Sequence, residues 1–330
     1  MAHTSANTRA FVEATQYSQF ILRNLHDGLL PNTFFRNVSD FGSGDTLNIK
    51  SVGSATIQEV AENVPLTYNP IDTGTVQLTI TDFIGDGWYI TDVLREDGAQ
   101  IEALHSARAQ ESTRAIQENF ESRFLQVAGD GTTGAQTVDN ANAVNGHSHR
   151  FTGSGANNTM TLQDLNVMQL SFDKANVPTA GRIAIVDPVV AATLNGLVSL
   201  VSPVQNQPKW QAVLENGFAM NHNFVMNIFG WDIWTSNRLH ITTVEEAALL
   251  SGDGTAAPAN TIGNVCNVFM SVLDDNTRPI MNAWRRMPKT EGQRNVPLKR
   301  DEYDVTARWG MGAQRLDTLG VCLTSATAIA

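Results

Sequence analysis

Two short motifs in the middle of the chain contain residue types that could do chemistry. The run GDGTTG at residues 129–134 has the glycine spacing of a dinucleotide-binding turn, where the backbone approaches a pyrophosphate at the start of a helix. Such a turn follows a strand, whereas this run follows a predicted helix and precedes Asn- and Thr-rich sequence. We therefore interpret it as a helix stop followed by a loop.

The second motif is a pair of histidines, His147 and His149, which could supply two metal ligands. A zinc site needs three or four protein ligands, and no cluster of Cys or carboxylate residues accompanies the pair. We interpret the pair as part of a solvated loop. The HExxH, G-x-S-x-G, Walker and EF-hand patterns do not occur in the sequence. The sequence thus predicts no catalytic residue, no cofactor and no metal.

Composition narrows the class of protein further. The net charge of −11 argues against a dedicated nucleic-acid binder, because such binding depends on Lys and Arg neutralising phosphates. No apolar run is long enough for a membrane span, and no secretion signal is recognisable. Cys266 and Cys322 lie in apolar, strand-like stretches and are predicted to be reduced core residues.

Basic residues concentrate in one stretch, residues 285–300. Six basic residues against Glu291 give this stretch a net charge of +5, so the rest of the chain carries −16. The stretch is either a solvated face or a contact with an acidic neighbouring subunit. The candidates for that contact are Arg285, Arg286 and Arg294.

The elements that would position these residues begin with a predicted β-ribbon at residues 45–84. Apolar and polar residues alternate on both sides of a polar connection that contains Pro65, Pro70 and Gly74. An isolated ribbon is marginal in water unless another surface covers it. We therefore expect its apolar strip to be poorly covered in a free subunit and to contact a neighbour. The candidates are Leu47, Ile49, Ile57, Val76, Leu78 and Ile80.

A long helix is predicted next, over residues 92–128. The segment has no proline, begins at the potential N-cap Thr91 or Asp92, and stops at Gly129. One uninterrupted helix there would be about 55 Å long. Residues 129–160 are rich in Gly, Asn, Thr and Ser and predict a long surface loop.

The rest of the chain alternates between helix and strand signals, which indicates a mixed α/β lobe. Thr161 and Asp164 have capping-box spacing, and Asp187-Pro188 follows a strand and opens a further helix. Strands are predicted at 182–186, 224–229, 233–236, 265–273, 303–309 and 319–325.

This order of elements resembles that of the major capsid proteins of tailed bacteriophages, the Hong Kong 97-type fold. Three stretches carry the resemblance: DTLNIKSVGSATIQEV through TVQLTITDFIGDGWYITD, VPTAGRIAIVDPVVAATL, and NIFGWDIWTSNRL. It implies an α+β fold with an extended E-loop hairpin, a long spine helix and an α/β axial domain. The implied divisions are an N-terminal arm at 1–44, the E-loop at 45–84, a peripheral domain at 85–180, an axial domain at 181–284, and strands returning to the peripheral domain at 285–330.

The resemblance also implies a function. It predicts a non-catalytic subunit that self-assembles, as pentamers and hexamers, into the icosahedral shell around a double-stranded DNA genome. The implied partners are a scaffolding protein, a portal and a possible decoration protein, with assembly in the host cytoplasm and location in the virion. Some members cross-link through a ribbon lysine, but the only lysine in this ribbon is Lys50, near its base, so that chemistry is not carried over. An encapsulin-like compartment and a nucleotide-dependent enzyme are the alternatives.

Overall fold

The computed structural model describes residues 29–38, 44–98, 101–129, 143–201, 224–242 and 264–327, except positions 54, 56, 61, 64, 66, 67 and 69. Most of the predicted N-terminal arm and most of the GDGTTG motif lie outside these residues. The described chain forms two main sheets, with a long helix packed against both.

A four-stranded sheet has the strand order β1-β13-β14-β4. β1 is parallel to β13, and the other neighbours are antiparallel. The register of β13 against β14 shifts twice between Trp284 and Lys289, so this part of the hairpin is irregular. The strands are β1 (Arg36–Asn37), β4 (Asp82–Thr91), β13 (Ile280–Asn295) and β14 (Arg300–Ala313).

The predicted ribbon is present as a separate antiparallel hairpin of β2 (Thr46–Val52) and β3 (Thr73–Thr79). Leu47 lies opposite Leu78, and Ile49 lies opposite Val76. Four apolar side chains of the two strands therefore share one face, as the alternation predicts.

The predicted long helix is two helices, α1 (Asp92–Asp97) and α2 (Ile101–Gly129). Thr91 caps α1 by accepting a hydrogen bond from the Leu94 N–H at 3.4 Å. At Gly98 the backbone becomes extended, with φ −88° and ψ 123°. The prediction of one uninterrupted helix is therefore wrong at Gly98, because glycine holds helical conformation poorly and leaves it readily.

A seven-stranded sheet, within the described residues, has the order β7-β15-β12-β8-β10-β9, with β11 paired to β12. Two helices, α3 (Leu162–Lys174) and α4 (Pro188–Val201), contribute to its core. The predicted capping box opens α3 and is confirmed. The strands are β7 (Arg150–Thr152), β8 (Arg182–Val186), β9 (Phe224–Ile228), β10 (Trp231–Thr235), β11 (Ile241–Thr242), β12 (Asn264–Ser271) and β15 (Leu319–Ser325).

Two elements differ from their predicted places. The predicted surface loop at 129–160 contains a short hairpin of β5 (Ala143–Val144) and β6 (His147–Ser148), and then β7, in which Phe151 is buried. The loop prediction is wrong over this part, because a strand of three residues is too short to show a period. β15 does not return to the four-stranded sheet with β13 and β14; it lies between β7 and β12. The domain division itself stays a prediction.

One apolar face of α2 forms the main core. Ile116, Phe120 and Phe124 are buried in a cluster that also contains Trp309 of the four-stranded sheet and Ile185 of the seven-stranded sheet. The two sheets therefore share a core through this helix. Within the described residues, no helix is long and apolar enough to cross a membrane.

The cysteine prediction is confirmed, since Cys266 and Cys322 are both free and fully buried. They lie on neighbouring strands but belong to different apolar clusters. Burial raises the pKa of the Cys322 thiol well above its ordinary value, so this side chain stays neutral.

Candidate assembly surfaces

The base of the ribbon packs on its own chain. Leu78 is 1% exposed and clusters with Val38, Met281 and Ala283, while Ile80 is also buried. The expectation of a poorly covered strip is therefore wrong for Leu78 and Ile80. The remaining members of the strip, Leu47, Ile49 and Val76, are partly buried against the same cluster.

Glycines on β14 allow this close packing. A Cβ at Gly310 would lie 2.3 Å from the Thr79 carbonyl oxygen, and one at Gly312 would lie 3.3 Å from Leu78 Cδ1. Only glycine lets the two backbones approach this closely at position 310. The alternating glycines of the run WGMGA, at 309–313, are the sequence signal for this contact.

The tip of the ribbon, defined as residues 53–72, has the opposite character. Among the described residues, the outermost backbone hydrogen bond between the two sides of the hairpin runs from the Gly53 N–H to the Asp72 carbonyl at 2.9 Å. Beyond it, Ile57 and Tyr68 are each 94% exposed, and Ile71 is also highly exposed. The tip therefore exposes several large apolar side chains that nothing in the described chain covers. Ile57 thus keeps the exposure expected of a contact residue, and its contact stays a prediction.

The basic stretch forms the distal half of β13 and the turn to β14. Arg285 and Arg286 begin this half, and Arg286 donates to Glu291 at 3.0 Å. Lys289 donates to the same carboxylate at 2.6 Å, and this hydrogen bond holds the pKa of Glu291 below its ordinary value. Part of the charge counted from the sequence is therefore balanced locally. Contact between Arg285 or Arg286 and a neighbour stays a prediction.

Arg294 is engaged within its own chain. Its guanidinium donates to both carboxylate oxygens of Asp92, at 2.5 and 2.7 Å, and to Asp301 at 3.1 Å. Arg95 also pairs with Asp301. The hydrogen bond from Arg294 lowers the pKa of Asp92 and raises that of Arg294. This arrangement ties the end of the β13–β14 hairpin to the start of α1, and an intersubunit role for Arg294 stays a prediction.

An exposed apolar corner beside this ion-pair network was not predicted from the sequence. Val93 and Leu94 of α1 are exposed, as are Val296 and Leu298 in the β13–β14 turn. The two segments are joined by a hydrogen bond from the Asp92 N–H to the Lys299 carbonyl at 3.0 Å. The signal for this corner is the pair of apolar residues on either side of a proline in a turn that should be polar.

In the described part of the chain, no group of three or more His, Cys, Asp or Glu side chains could hold a metal ion. An open groove of about 550 Å³ between α2, β4 and residues 238–241 is lined by both apolar and polar side chains, including the ion-paired Asp82 and Arg123. The prediction of a solvated loop is wrong for His149, whose ring is buried and stacked on Phe172.

Comparison with known proteins identifies the family. A family model described as phage capsid protein matches residues 73–324. The chain belongs to the phage capsid protein family. The α+β capsid fold predicted from the sequence is confirmed, because solved phage capsid chains match almost the full length.

Three of these solved structures have low sequence identity but similar folds. A capsid chain of Cyanophage P-SCSP1u is 15% identical, with a TM-score of 0.63, covering 97% of this chain and 95% of that chain. A chain of Mycobacterium phage Che8 is 15% identical, with a TM-score of 0.62 and coverages of 94% and 97%. A mature capsid chain of bacteriophage PhiM1 is 11% identical, with a TM-score of 0.63 and coverages of 99% and 98%. No match is found among curated proteins.

Family membership makes this phage capsid protein a structural subunit and not an enzyme. The match begins at Thr73, the first residue of β3, and extends through both sheets to Thr324. Its candidate functional surfaces are therefore those by which copies of the chain contact one another: the ribbon tip, the basic half of the β13–β14 hairpin, and the apolar corner.

Proposed function

We propose that this capsid protein is the repeating tile of an icosahedral shell that encloses the double-stranded DNA genome of a tailed phage. Copies of the chain form pentamers and hexamers, and each ribbon tip reaches across a neighbouring copy. Membership of the phage capsid protein family is the observation that carries this proposal. The role of the tip is supported by Ile57 and Tyr68, which are each 94% exposed and have no covering surface within the described chain.

The ribbon base supports the same assignment. The base packs on its own subunit at Leu78 and Gly310, so the tip extends from a part of the hairpin that is held in place. A tip held in this way loses less conformational freedom on docking than a free hairpin would. The apolar corner and the basic half of the β13–β14 hairpin provide two further surfaces on the same subunit for contacts with other copies.

The partners beyond the chain itself belong to the proposal. The acidic balance of −11 suits a wall that contains DNA by repulsion, without specific binding. A scaffolding protein guides assembly in the host cytoplasm, a portal occupies one vertex, and a decoration protein attaches to the finished virion.

The test is the content of particles isolated from phage-producing cells. After treatment with nuclease, intact particles should release double-stranded DNA of uniform length when the shell is opened. Particles that contain a protein cargo and no protected DNA would contradict a genome container and indicate an encapsulin-like compartment.

A further inference from the structure

A buried carboxylate lies where three segments of the subunit meet. Glu121, in the middle of α2, is 5% exposed. Its Oε2 accepts a hydrogen bond from the Leu30 backbone N–H at 3.0 Å, and its Oε1 accepts one from the Ser236 hydroxyl at 3.0 Å. Arg238 lies 3.4 Å from the same Oε1. One side chain therefore joins the long helix to two other segments.

These segments belong to different parts of the fold. Ser236 follows β10 directly, and its N–H donates to the Val186 carbonyl at the end of β8, so it lies at the ends of two neighbouring strands of the seven-stranded sheet. The helix that carries Glu121 packs its apolar face on β14 of the four-stranded sheet as well as on the seven-stranded sheet. Glu121 thus adds hydrogen bonds to the junction at which this helix joins the two sheets.

The segment around Leu30 strengthens the link on both sides. Phe34 packs edge-on against Trp234 of β10, with ring centroids 5.3 Å apart, and Phe35 packs against Phe120 of α2 at 5.3 Å. Two residues later, β1 pairs with β13 of the four-stranded sheet. This segment therefore crosses the junction that Glu121 holds.

Packed apolar side chains hold this junction, and the carboxylate adds directional contacts to them. Hydrophobic burial has no preferred direction, whereas hydrogen bonds to a carboxylate require particular distances and angles. A buried carboxylate is a weak source of stability, because its loss of hydration offsets its hydrogen bonds. The carboxylate instead fixes the relative positions of the three segments, since both of its oxygens are hydrogen-bonded in only one arrangement of them.

We propose that Glu121 is a positioning residue that fixes the angle between the two sheets of each subunit, and thereby the curvature of the assembled shell. The inference rests on the proposed function. In a closed shell made of identical tiles, the angle within each tile limits the angles at which tiles meet. A junction with several allowed angles yields shells of several sizes.

Particle diameter tests the proposal. Glu121→Gln keeps the volume of the side chain but replaces one acceptor by an amide donor, which then faces either the Leu30 N–H or the Arg238 guanidinium, and neither of these can accept. We expect particles with shifted or mixed diameters in electron micrographs. The matched control is Glu118→Gln, one turn earlier on α2, where the side chain also pairs with Arg238, at 3.2 Å, but is a quarter exposed. The control should give the wild-type diameter.

Wild-type particles must form for this comparison, so failure of the proposed function and failure of the inference give different results. If Glu121→Gln and wild-type particles had the same diameter distribution, the inference would be wrong. Should Glu121→Gln fail to fold, Ser236→Ala removes one of the three donors and carries the same expectation.

A distance measurement covers variants that fold but do not assemble. Spin labels on Ala115→Cys of α2 and Leu170→Cys of α3 report how α2 lies relative to a helix that packs on the seven-stranded sheet. Both positions are exposed, and both native cysteines are buried. Labelled chain diluted into unlabelled chain should give a broader distance distribution for Glu121→Gln than for wild type. An unchanged distribution would overturn the proposal.

Discussion

The base and the tip of one hairpin use similar apolar residues for different purposes. At the base, Leu78 is 1% exposed and lies among residues from the distant β13 strand. At the tip, Ile57 is 94% exposed. The comparison teaches that alternation along a strand identifies an apolar face but does not identify what covers it. The base stabilises the subunit, and the tip is the part proposed to contact another subunit.

The largest effect should come from placing a charge at the base. Leu78→Asp puts a carboxylate into an apolar cluster and should lower the free energy of unfolding by more than about 4 kcal/mol. The matched change at the tip, Ile57→Asp, should alter it by less than about 0.5 kcal/mol. Urea denaturation of both variants measures the difference. Equal losses at the two positions would remove the distinction between base and tip.

The reverse pattern is expected for assembly. Replacing Ile57, Tyr68 and Ile71 by Ser should leave the urea midpoint of the subunit unchanged, because these side chains are exposed. Burial of each of these side chains in a contact would contribute on the order of 1.5 to 3 kcal/mol. Without them, the protein concentration needed for assembly should therefore rise by more than about tenfold. Light scattering against protein concentration measures that threshold. An unchanged threshold would mean that the tip is not a contact.

The sequence predicts the local elements of this fold better than their packing. The strands at 182–186 and 319–325 have the predicted bounds, because most of each strand is an apolar run, at 183–186 and 319–323. The ribbon base is buried because β3 packs closely on β14 at Gly310, which lies more than two hundred residues after Leu78. The alternation of residues within the ribbon does not predict that contact. The break at Gly98 was missed because the residues around it continue the helical pattern.

Among the assembly surfaces, the missed features share one cause. The sequence shows that 285–300 is basic, but the pairing of Arg294 with Asp92 arises only when the β13–β14 hairpin lies beside α1. The apolar corner likewise combines two segments that are about two hundred residues apart in the chain. The ion pairs and exposed side chains of these surfaces depend on contacts between segments that are distant in the chain, so the sequence alone does not predict them.

A smaller loss of subunit stability is expected when the ion pairs of Arg294 are removed. Like the ribbon base, these groups contact their own chain. Arg294→Met should lower the urea midpoint at neutral pH. The pKa of Asp92 is lowered from its ordinary 3.8 in the folded protein, so its contribution is present above that value and is lost as the pH falls through the folded pKa. Midpoints of wild type and variant should therefore converge in acid. A difference that stayed constant with pH would show that the ion pair does not cause it.

The smallest effect on the folded subunit should be that of thiol reagents. Cys266 and Cys322 are fully buried, and the raised pKa of Cys322 disfavours its reactive thiolate. The folded protein should not react with a thiol-specific dye, and reductant should not change its melting temperature. Reaction of both thiols without unfolding would show that the sheet around them opens, unlike the packed ribbon base.

Negative-stain electron microscopy of the purified full-length chain tests the central claim, that this protein builds a shell, most directly. We expect closed, round particles of uniform diameter, or rings of five and six subunits that convert to particles as the protein concentration rises. A variant with Ile57, Tyr68 and Ile71 replaced by Ser should give rings or single subunits in place of particles. If the wild-type chain remained a single subunit at every concentration and with scaffolding protein present, the account would be contradicted.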